Sequence, residues 1–311
     1  MEAIIMKAAI IRAFGGPEGV TLGDASLGAL LPDQVLVRVE AAAINPLDLK
    51  IIAGYMEQIF PITLPYVPGT DFSGVVVSIG AAATHLKVGD RVVGRTAPGA
   101  GGALARHAVV AASAVVPMPA GISFEQGAAL PTAFGTASQA LFDAGALQHG
   151  ETVLIHAGAG GVGSMAIQLA HEAGARVITT ASERNHDLVR SLGADEVVDY
   201  RTQDVSQLRG IDLVIDTIGG DTLTKSWAVL NTGGRVATTV EFGIQAPEGH
   251  TGAFVFFSDA ARYLPAAFRM FETGRLQVIT DAIFRFDDVR TALERLATGH
   301  ARGKLIVRVG Q

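Results

Sequence analysis

The stretch Thr152 to His156 reads as a short β-strand, and the chain then turns at once through Ala157-Gly158-Ala159-Gly160-Gly161-Val162-Gly163 into the amphipathic run Ser164 to Ala173. This strand, glycine turn and helix constrain the fold more than any other segment. Gly158, Gly160 and Gly163 have the spacing G-x-G-x-x-G. In that pattern the first glycine permits a tight turn. The second lets the backbone approach a pyrophosphate, and the third lets helix and strand pack closely. The phosphates lie at a helix N-terminus, where free N–H groups and the helix dipole favour negative charge. The spacing alone says little. Its place between a strand and a helix, inside a repeating β-α pattern, makes it a dinucleotide cradle built from Gly158, Ala159, Gly160, Gly161 and Val162.

The surrounding sequence supports that context. From residue 152 onward strands and helices alternate: strands at 176–180, 196–199, 212–218 and 235–240, helices at 162–173, 184–192 and 221–230. Such alternation predicts a doubly wound parallel sheet covered by helices. The first third reads differently. Short strands at 6–12, 35–40, 75–80, 91–94 and 107–116 are separated by glycine and proline turns, with residues 61–74 mostly loop. Phe124 to Ala144 has helical spacing and follows Ser123, a good N-cap. Helices at 258–273 and 287–298 and a strand at 304–309 complete the reading. At 311 residues the chain suits two domains.

Composition removes several alternatives. The net charge is -6, which disfavours a nucleic-acid or anionic-membrane partner. There is no cysteine, so disulfides, thiolate nucleophiles and cysteine-ligated zinc are excluded. Glu2, Lys7 and Arg12 interrupt the apolar opening, which argues against a signal peptide, and no uncharged apolar run is long enough to span a bilayer. The expected compartment is the cytoplasm.

The end of the second strand selects the dinucleotide. A site that prefers NAD places an acid there to bond the ribose 2′-OH. Here the strand ends Thr179-Thr180-Ala181-Ser182, with Thr180 where the acid would stand. Ser182 can hydrogen-bond a 2′-phosphate and Arg184 can neutralise it. Glu183 could take the acid's role but lies past the expected position. The reading is NADPH.

Other segments resemble a known family. Met6-Lys7-Ala8 with Phe14-Gly15-Gly16-Pro17-Glu18, Ala43-Ile44-Asn45-Pro46-Leu47-Asp48-Leu49-Lys50 and Pro68-Gly69-Thr70-Asp71-Phe72-Ser73-Gly74-Val75 are similar to segments of quinone oxidoreductases of the medium-chain dehydrogenase/reductase superfamily. Leu192-Gly193-Ala194-Asp195, Asp216-Thr217-Ile218-Gly219-Gly220 and Gly303-Lys304 match as well. The resemblance implies a GroES-like β domain, residues 1–125 and 265–311, with a Rossmann dinucleotide domain, 126–264, inserted between them. It implies a dimer, and a substrate that meets the nicotinamide between the domains. Zinc-dependent relatives use cysteine and histidine ligands. With no cysteine, and with His85, His107, His149, His156, His171 and His186 at no metal-ligand spacing, the chain resembles the zinc-independent branch.

The resemblance also assigns expected roles. Asn45 is placed near nicotinamide and substrate, Thr132 beside the nicotinamide, Tyr200 beside the adenosine ribose, and Phe254 and Phe256 in the loop that meets the nicotinamide amide. Lys304 is placed near the same pocket, although an ion-pair role is an equal expectation. Asp48 and Lys50 are expected to be structural. Thr217 and Val240 follow strand ends on the cofactor crevice. Tyr55 could hydrogen-bond a carbonyl, its alternative being a core tyrosine. The expected activity is NADPH-dependent hydride transfer to a quinone. The alternatives are reduction of an enone or alkenal, and a non-catalytic NADPH-binding structural or regulatory protein.

Overall fold

A computed structural model describes residues 4–310. By internal contacts the chain divides into two units. One runs through Thr132 and adds Ser258–Arg269 and the chain from Thr280 onward. The other comprises Ala133–Phe257 and Met270–Ile279. The sequence reading drew its boundaries at 125/126 and 264/265, inside the helices Phe124–Ala129 and Ala260–Glu272, whose composition carries no domain signal.

The first unit is mainly β. Ile4–Ile10 and Thr21–Leu27 form an antiparallel hairpin. The main sheet runs, in spatial order, Thr280–Arg285, Lys304–Arg308, Gln34–Ile44, Asp71–Ile79, Arg91–Arg95 and Val115–Pro117, with His107–Ala111 also paired to Gln34–Ile44. Its core gathers Val35, Val37, Val39, Phe72, Val76, Val92 and Leu305. The strand expected to begin at Val75 begins at Asp71, because Asp71 has a backbone partner on both sides, Ala43 and Arg95. The strands at 21–27, 251–254 and 280–285 escaped the sequence reading. In Thr21–Leu27 and Thr280–Arg285 no residue is fully buried, so neither carries a run of apolar residues that would mark a strand.

The second unit is a six-stranded parallel sheet ordered Glu196–Val198, Arg176–Thr180, Thr152–Ile155, Ile211–Asp216, Leu230–Thr238, Thr251–Phe254. Numbered in chain order within the unit, this is 3-2-1-4-5-6, the doubly wound arrangement with its switch point beside the first strand. Leu154, Ile178, Val214 and Val236 fill one face. All six strands are parallel to their neighbours, and the inner ones, Thr152–Ile155, Arg176–Thr180 and Ile211–Asp216, are buried almost throughout and read as continuous runs and not as alternation.

Phe124 to Ala144, expected as one helix, is three segments: Phe124–Ala129, Pro131–Ser138 and a π-helical Gln139–Ala144. Pro131 accounts for the first break, since its ring cannot continue a helix and restricts Leu130 before it. Ser123 does cap the first segment. Its hydroxyl accepts from Gln126 N at 3.2 Å, and the Gln126 carbonyl accepts from Ser123 N at 3.0 Å. Among the described residues no helix is long and apolar enough to cross a membrane.

The ring of Phe72 is fully buried across from Gly94, where any Cβ would press into it at 2.8 Å. Phe72→Ala is expected to lower stability by about 3–5 kcal/mol, read as a fall in the urea midpoint. A shift smaller than about 1 kcal/mol would show that this layer relaxes into the gap.

Candidate functional site

The glycine turn follows the Thr152–Ile155 strand and opens the helix Gly161–Glu172. Its glycines have different surroundings. A Cβ on Gly158 would overlap Thr179 Oγ1 and crowd Ile167 Cδ1 at 2.9 Å. A Cβ on Gly163 would overlap the Ala157 carbonyl and stand 2.8 Å from Gly158 Cα. Both positions are therefore closed by the protein itself. A Cβ on Gly160 would meet only Ala157 O, at 3.3 Å. What the missing side chain at Gly160 leaves is open approach to the backbone. A helix leaves its first N–H groups without intrahelical partners, and here those groups belong to the segment that starts at Gly160.

The turn is held from behind by the second strand. Thr180 Oγ1 accepts from Ala157 N at 3.0 Å and lies 3.3 Å from His156 Nδ1, while His156 Nε2 lies 2.9 Å from Ser226 Oγ. Ala157 itself sits at φ 54°, a left-handed conformation that costs a non-glycine residue about 1–2 kcal/mol. Burial pushes the His156 imidazole down to about 4, partly opposed by the Asp216 carboxylate, so the ring is neutral at pH 7. It serves as a hydrogen-bonding bridge. Thr180 was expected to stand where a ribose would be read. Its buried hydroxyl is instead committed to the turn.

The other residues expected on this unit fall at the ends of its parallel strands. Ser182 is buried, and its hydroxyl accepts from Asn185 Nδ2 at 3.2 Å. Arg184, Tyr200 and Arg201 are exposed, with the Arg201 guanidinium 5.6 Å from the Tyr200 ring centre. Arg201 was not singled out in the sequence; the neighbouring Tyr200 was its only signal. Asp199 supplies no free acid for a ribose, because its carboxylate accepts from Glu183 N at 3.2 Å and Arg201 N at 3.0 Å. Asp216 organises the next strand end. It accepts from Ile218 N and Gly219 N, at 3.1 and 3.0 Å, and from Thr238 Oγ1 at 2.8 Å. Half-buried Thr217 and Val240 flank it, and the Val240 side chain closes on Gly219. Phe254 stacks on exposed Phe242 at 4.1 Å, and the Phe256 carbonyl accepts from Gln139 Nε2 at 3.3 Å.

The first unit holds a second constellation. Strand register builds it: Asp71 is paired with both Ala43 and Arg95, and Leu305 is paired with Ile44. Asn45, Asp71, Arg95 and Lys304 thus meet at one end of the sheet. Asp71 Oδ2 accepts from Asn45 Nδ2 at 3.0 Å and from Thr132 N at 3.2 Å, and Oδ1 accepts from Thr132 Oγ1 at 2.6 Å. Lys304 Nζ donates to the Asn45 side-chain oxygen and, at 3.2 Å, to Ile44 O, and lies 3.8 Å from Asp71 Oδ2. Arg95 Nε donates to Thr132 Oγ1 at 3.1 Å and lies 3.9 Å from Asp71 Oδ1. Burial pulls the Lys304 ammonium pKa down, against Asp71 and Asp48, which push it back up. The sequence motif that carries Asp71 was recognised, but no role was given to Asp71 or Arg95. Only the strand register shows that they face each other.

Asn45 precedes the helix Pro46–Ile52, and its N–H donates to Asp48 Oδ2 at 2.7 Å. Asp48 is buried and its Oδ1 has no partner, so burial pushes its carboxyl up to about 7 despite the backbone hydrogen bond. Lys50 is exposed. Tyr55 is 82 % exposed, which removes the core alternative for it. Tyr66 is the core tyrosine: it is buried and its hydroxyl donates to Pro98 O at 2.6 Å. Phe60 is half-buried against the same core.

Two outcomes test this geometry. Gly163→Ala is expected to cost about 1–3 kcal/mol of stability by overpacking, whereas Gly160→Ala leaves the thermal midpoint near that of the native chain and weakens dinucleotide binding. Equal midpoints for the two variants would contradict the assignment of closed and open glycines. The second outcome concerns Asp48. A carboxyl raised from 3.8 to about 7 contributes stability that is full below its unfolded value and is lost as pH rises through about 7. The thermal midpoint of Asp48→Asn, relative to the native chain, should therefore climb between about pH 5 and pH 8. A constant difference over that range would show that Asp48 ionises normally.

Residues 31–120 match the family model described as alcohol dehydrogenase GroES-like domain, and residues 192–307 match the one described as zinc-binding dehydrogenase. Among the described residues no group of three histidine, aspartate or glutamate side chains is placed to hold a metal ion. The NADPH-dependent alkenal/one oxidoreductase of Arabidopsis thaliana chloroplasts is 36% identical over 97% of this chain and 79% of that protein. Human quinone oxidoreductase is 31% identical over 97% of this chain and 98% of its own length. The solved quinone oxidoreductase of Coxiella burnetii superposes with a TM-score of 0.93 at 34% identity, covering 98% of this chain and all of that one. With the parallel sheet ordered about its glycine turn, these likenesses extend from end to end, and the chain belongs to the quinone oxidoreductase-like oxidoreductases of the medium-chain dehydrogenase/reductase superfamily.

Proposed function

We propose that the protein is an NADPH-dependent, zinc-independent reductase whose acceptor is a quinone, acting as a homodimer. The observation that carries the reading is the glycine turn: closed by packing at Gly158 and Gly163 and open at Gly160, it is shaped for a pyrophosphate. The backbone from Gly158 through Val162 would hold the phosphates. Thr180, at the second strand end, is turned inward, Asp199, after the third strand, is occupied by backbone N–H groups, and the exposed Glu183 lies past the position expected of a ribose-binding acid. Arg184, after the second strand, and Arg201, after the third, are exposed cations whose strand ends are joined by the Ala181–Val198 and Glu183–Asp199 hydrogen bonds, with Ser182 and Tyr200 beside them in sequence, which supports a 2′-phosphate. Thr217, Val240, Phe254 and Phe256 would follow the cofactor along the strand ends, and Asn45, Thr132 and Lys304 would complete the nicotinamide side.

Bound nicotinamide supplies the hydride. The protein's own task is to hold the acceptor, exclude water and stabilise the negative charge that develops on the acceptor oxygen. The chain has no cysteine, so that charge falls to hydrogen-bond donors, Asn45 foremost, with the exposed Tyr55 hydroxyl as a further donor. An enone or alkenal acceptor is a second reading, favoured by the likeness to the Arabidopsis alkenal/one oxidoreductase.

NADPH oxidation measured in parallel with ortho-quinones, para-quinones and enals tests the acceptor. Turnover of quinones is expected, and a rate confined to enals would establish the second reading. NADPH binding without consumption on any acceptor would instead mark a non-catalytic binding protein. In a fluorescence titration NADPH should bind at least about tenfold, some 1.4 kcal/mol, more tightly than NADH, with Arg184→Ala removing most of that preference. Equal affinities in the native chain would overturn the cofactor assignment.

A further inference from the structure

The cluster around Asp71 fixes more than position: it fixes which way each hydrogen bond points. Arg95 Nε is an obligate donor, and it donates to Thr132 Oγ1. That hydroxyl must then place its one proton elsewhere, and Asp71 Oδ1 receives it at 2.6 Å. The Thr132 proton is spent, and what the hydroxyl can still offer is a lone pair. Asn45 is constrained in the same way. The Lys304 amine donates to its Oδ1, and the Asp71 carboxylate, an acceptor, takes one N–H of Nδ2. An amide flipped by 180° would set its N–H₂ against the Lys304 amine and its oxygen against a carboxylate. Only one orientation is compatible with both neighbours. The second N–H of Asn45 Nδ2 has no partner among the described residues, so the side chain keeps a directed donor beside an oxygen already engaged by the Lys304 amine.

We propose that Asp71 is the positioning residue of this enzyme: with Lys304 and Arg95 it sets Asn45 as a donor and Thr132 as an acceptor, and so selects a substrate that presents a bare carbonyl oxygen to Asn45. The proposal rests on the reading that Asn45 meets the acceptor. Asp71 acts through Asn45 and touches no reacting atom itself. Several features of the cluster agree. Asp71 is wholly buried, as Lys304 and Arg95 nearly are. Its two oxygens divide the work, Oδ2 toward Asn45, Lys304 and the Thr132 N–H, Oδ1 toward the Thr132 hydroxyl and Arg95. Charges buried this deeply carry a desolvation cost that apolar residues of similar volume avoid, so mere packing does not call for them.

The test has two arms. In the first, the side-chain amide of Asn45 is followed by nitrogen-15 NMR in the intact protein, without substrate. A resolved, slowly exchanging proton pair is expected in the native chain. It should shift and exchange faster in Asp71→Asn and in Lys304→Met, and be restored in Lys304→Arg. An unchanged pair in both variants overturns the proposal. Lys304→Met is the variant to use if Asp71→Asn does not fold. In the second arm, kcat on the best acceptor is measured for Asp71→Asn, Asn45→Ala and the double variant. Removal of one oxyanion donor costs about 100-fold, and each single variant should approach that loss with dinucleotide affinity held within about threefold. The double variant should lose no more than Asn45→Ala alone, since a residue that acts through another has nothing left to position. Additive losses overturn the proposal. Should the native enzyme turn over no quinone or enal, the functional reading fails, while the NMR arm still decides the hydrogen-bond polarity.

Discussion

A carboxylate with no access to water survives inside a protein only when its lone pairs are filled and its charge is met. Asp71 satisfies both conditions by drawing on distant parts of the chain. Its oxygens accept hydrogen bonds from Asn45, just past the Gln34–Ile44 strand, and from the first turn of the Pro131–Ser138 helix at Thr132. Cations arrive from two further strands, through Arg95 and Lys304. Remove that carboxylate and two buried cations are left facing one another, a defect that costs more than the pair contributes when intact. The end of the sheet where the acceptor is proposed to bind is therefore organised by charge compensation. Apolar packing dominates only deeper, around Phe72 and its neighbours.

The dinucleotide unit reaches a comparable rigidity without charge. Its turn is clamped by the absence of atoms at Gly158 and Gly163 and by a neutral bridge that runs from Ser226 through His156 to Thr180 and Ala157. The depressed imidazole pKa follows from that role, since a protonated ring would carry a buried charge. The two units differ in what holds their functional edges: in one a cluster of buried charges about Asp71, in the other a chain of neutral hydrogen bonds through His156.

Much of this was legible in the residues. The glycine spacing and the β-α alternation specified the parallel sheet, because strands buried on both faces read as unbroken apolar runs. Edge strands such as Thr21–Leu27 and Thr280–Arg285 were not legible, since half-exposed strands lack that mark. The same division holds at the site. Backbone-determined features, the open Gly160 and the Ser123 cap, follow from local spacing. The Asp71 cluster does not, because it depends on register between strands far apart in sequence, and an aspartate in a glycine-rich loop looks like any turn aspartate. Thr180 shows the converse. Its place at the end of the second strand is plain in the sequence, but the direction of its hydroxyl, toward Ala157 N, depends on the neighbouring strand, which a single sequence does not display.

The strand Lys304–Arg308 lies between Thr280–Arg285 and Gln34–Ile44, and its first residue supplies the amine that holds Asn45, 259 positions earlier. During synthesis the ribosome releases Asn45 and Asp71 long before Lys304 exists. Domains commonly fold in the order in which they emerge, but here the unit that is begun first is finished last. Until residue 304 clears the exit tunnel, the Asp71 carboxylate lacks one of its two cations and the sheet exposes an edge at Ala41 to Ile44. The dinucleotide unit, nearly all of it contiguous between Ala133 and Phe257, can meanwhile close around its own core. The unit that carries the Asp71 cluster would thus be completed after the dinucleotide unit has closed, and the nascent chain would be most vulnerable to misassociation in the interval between the two.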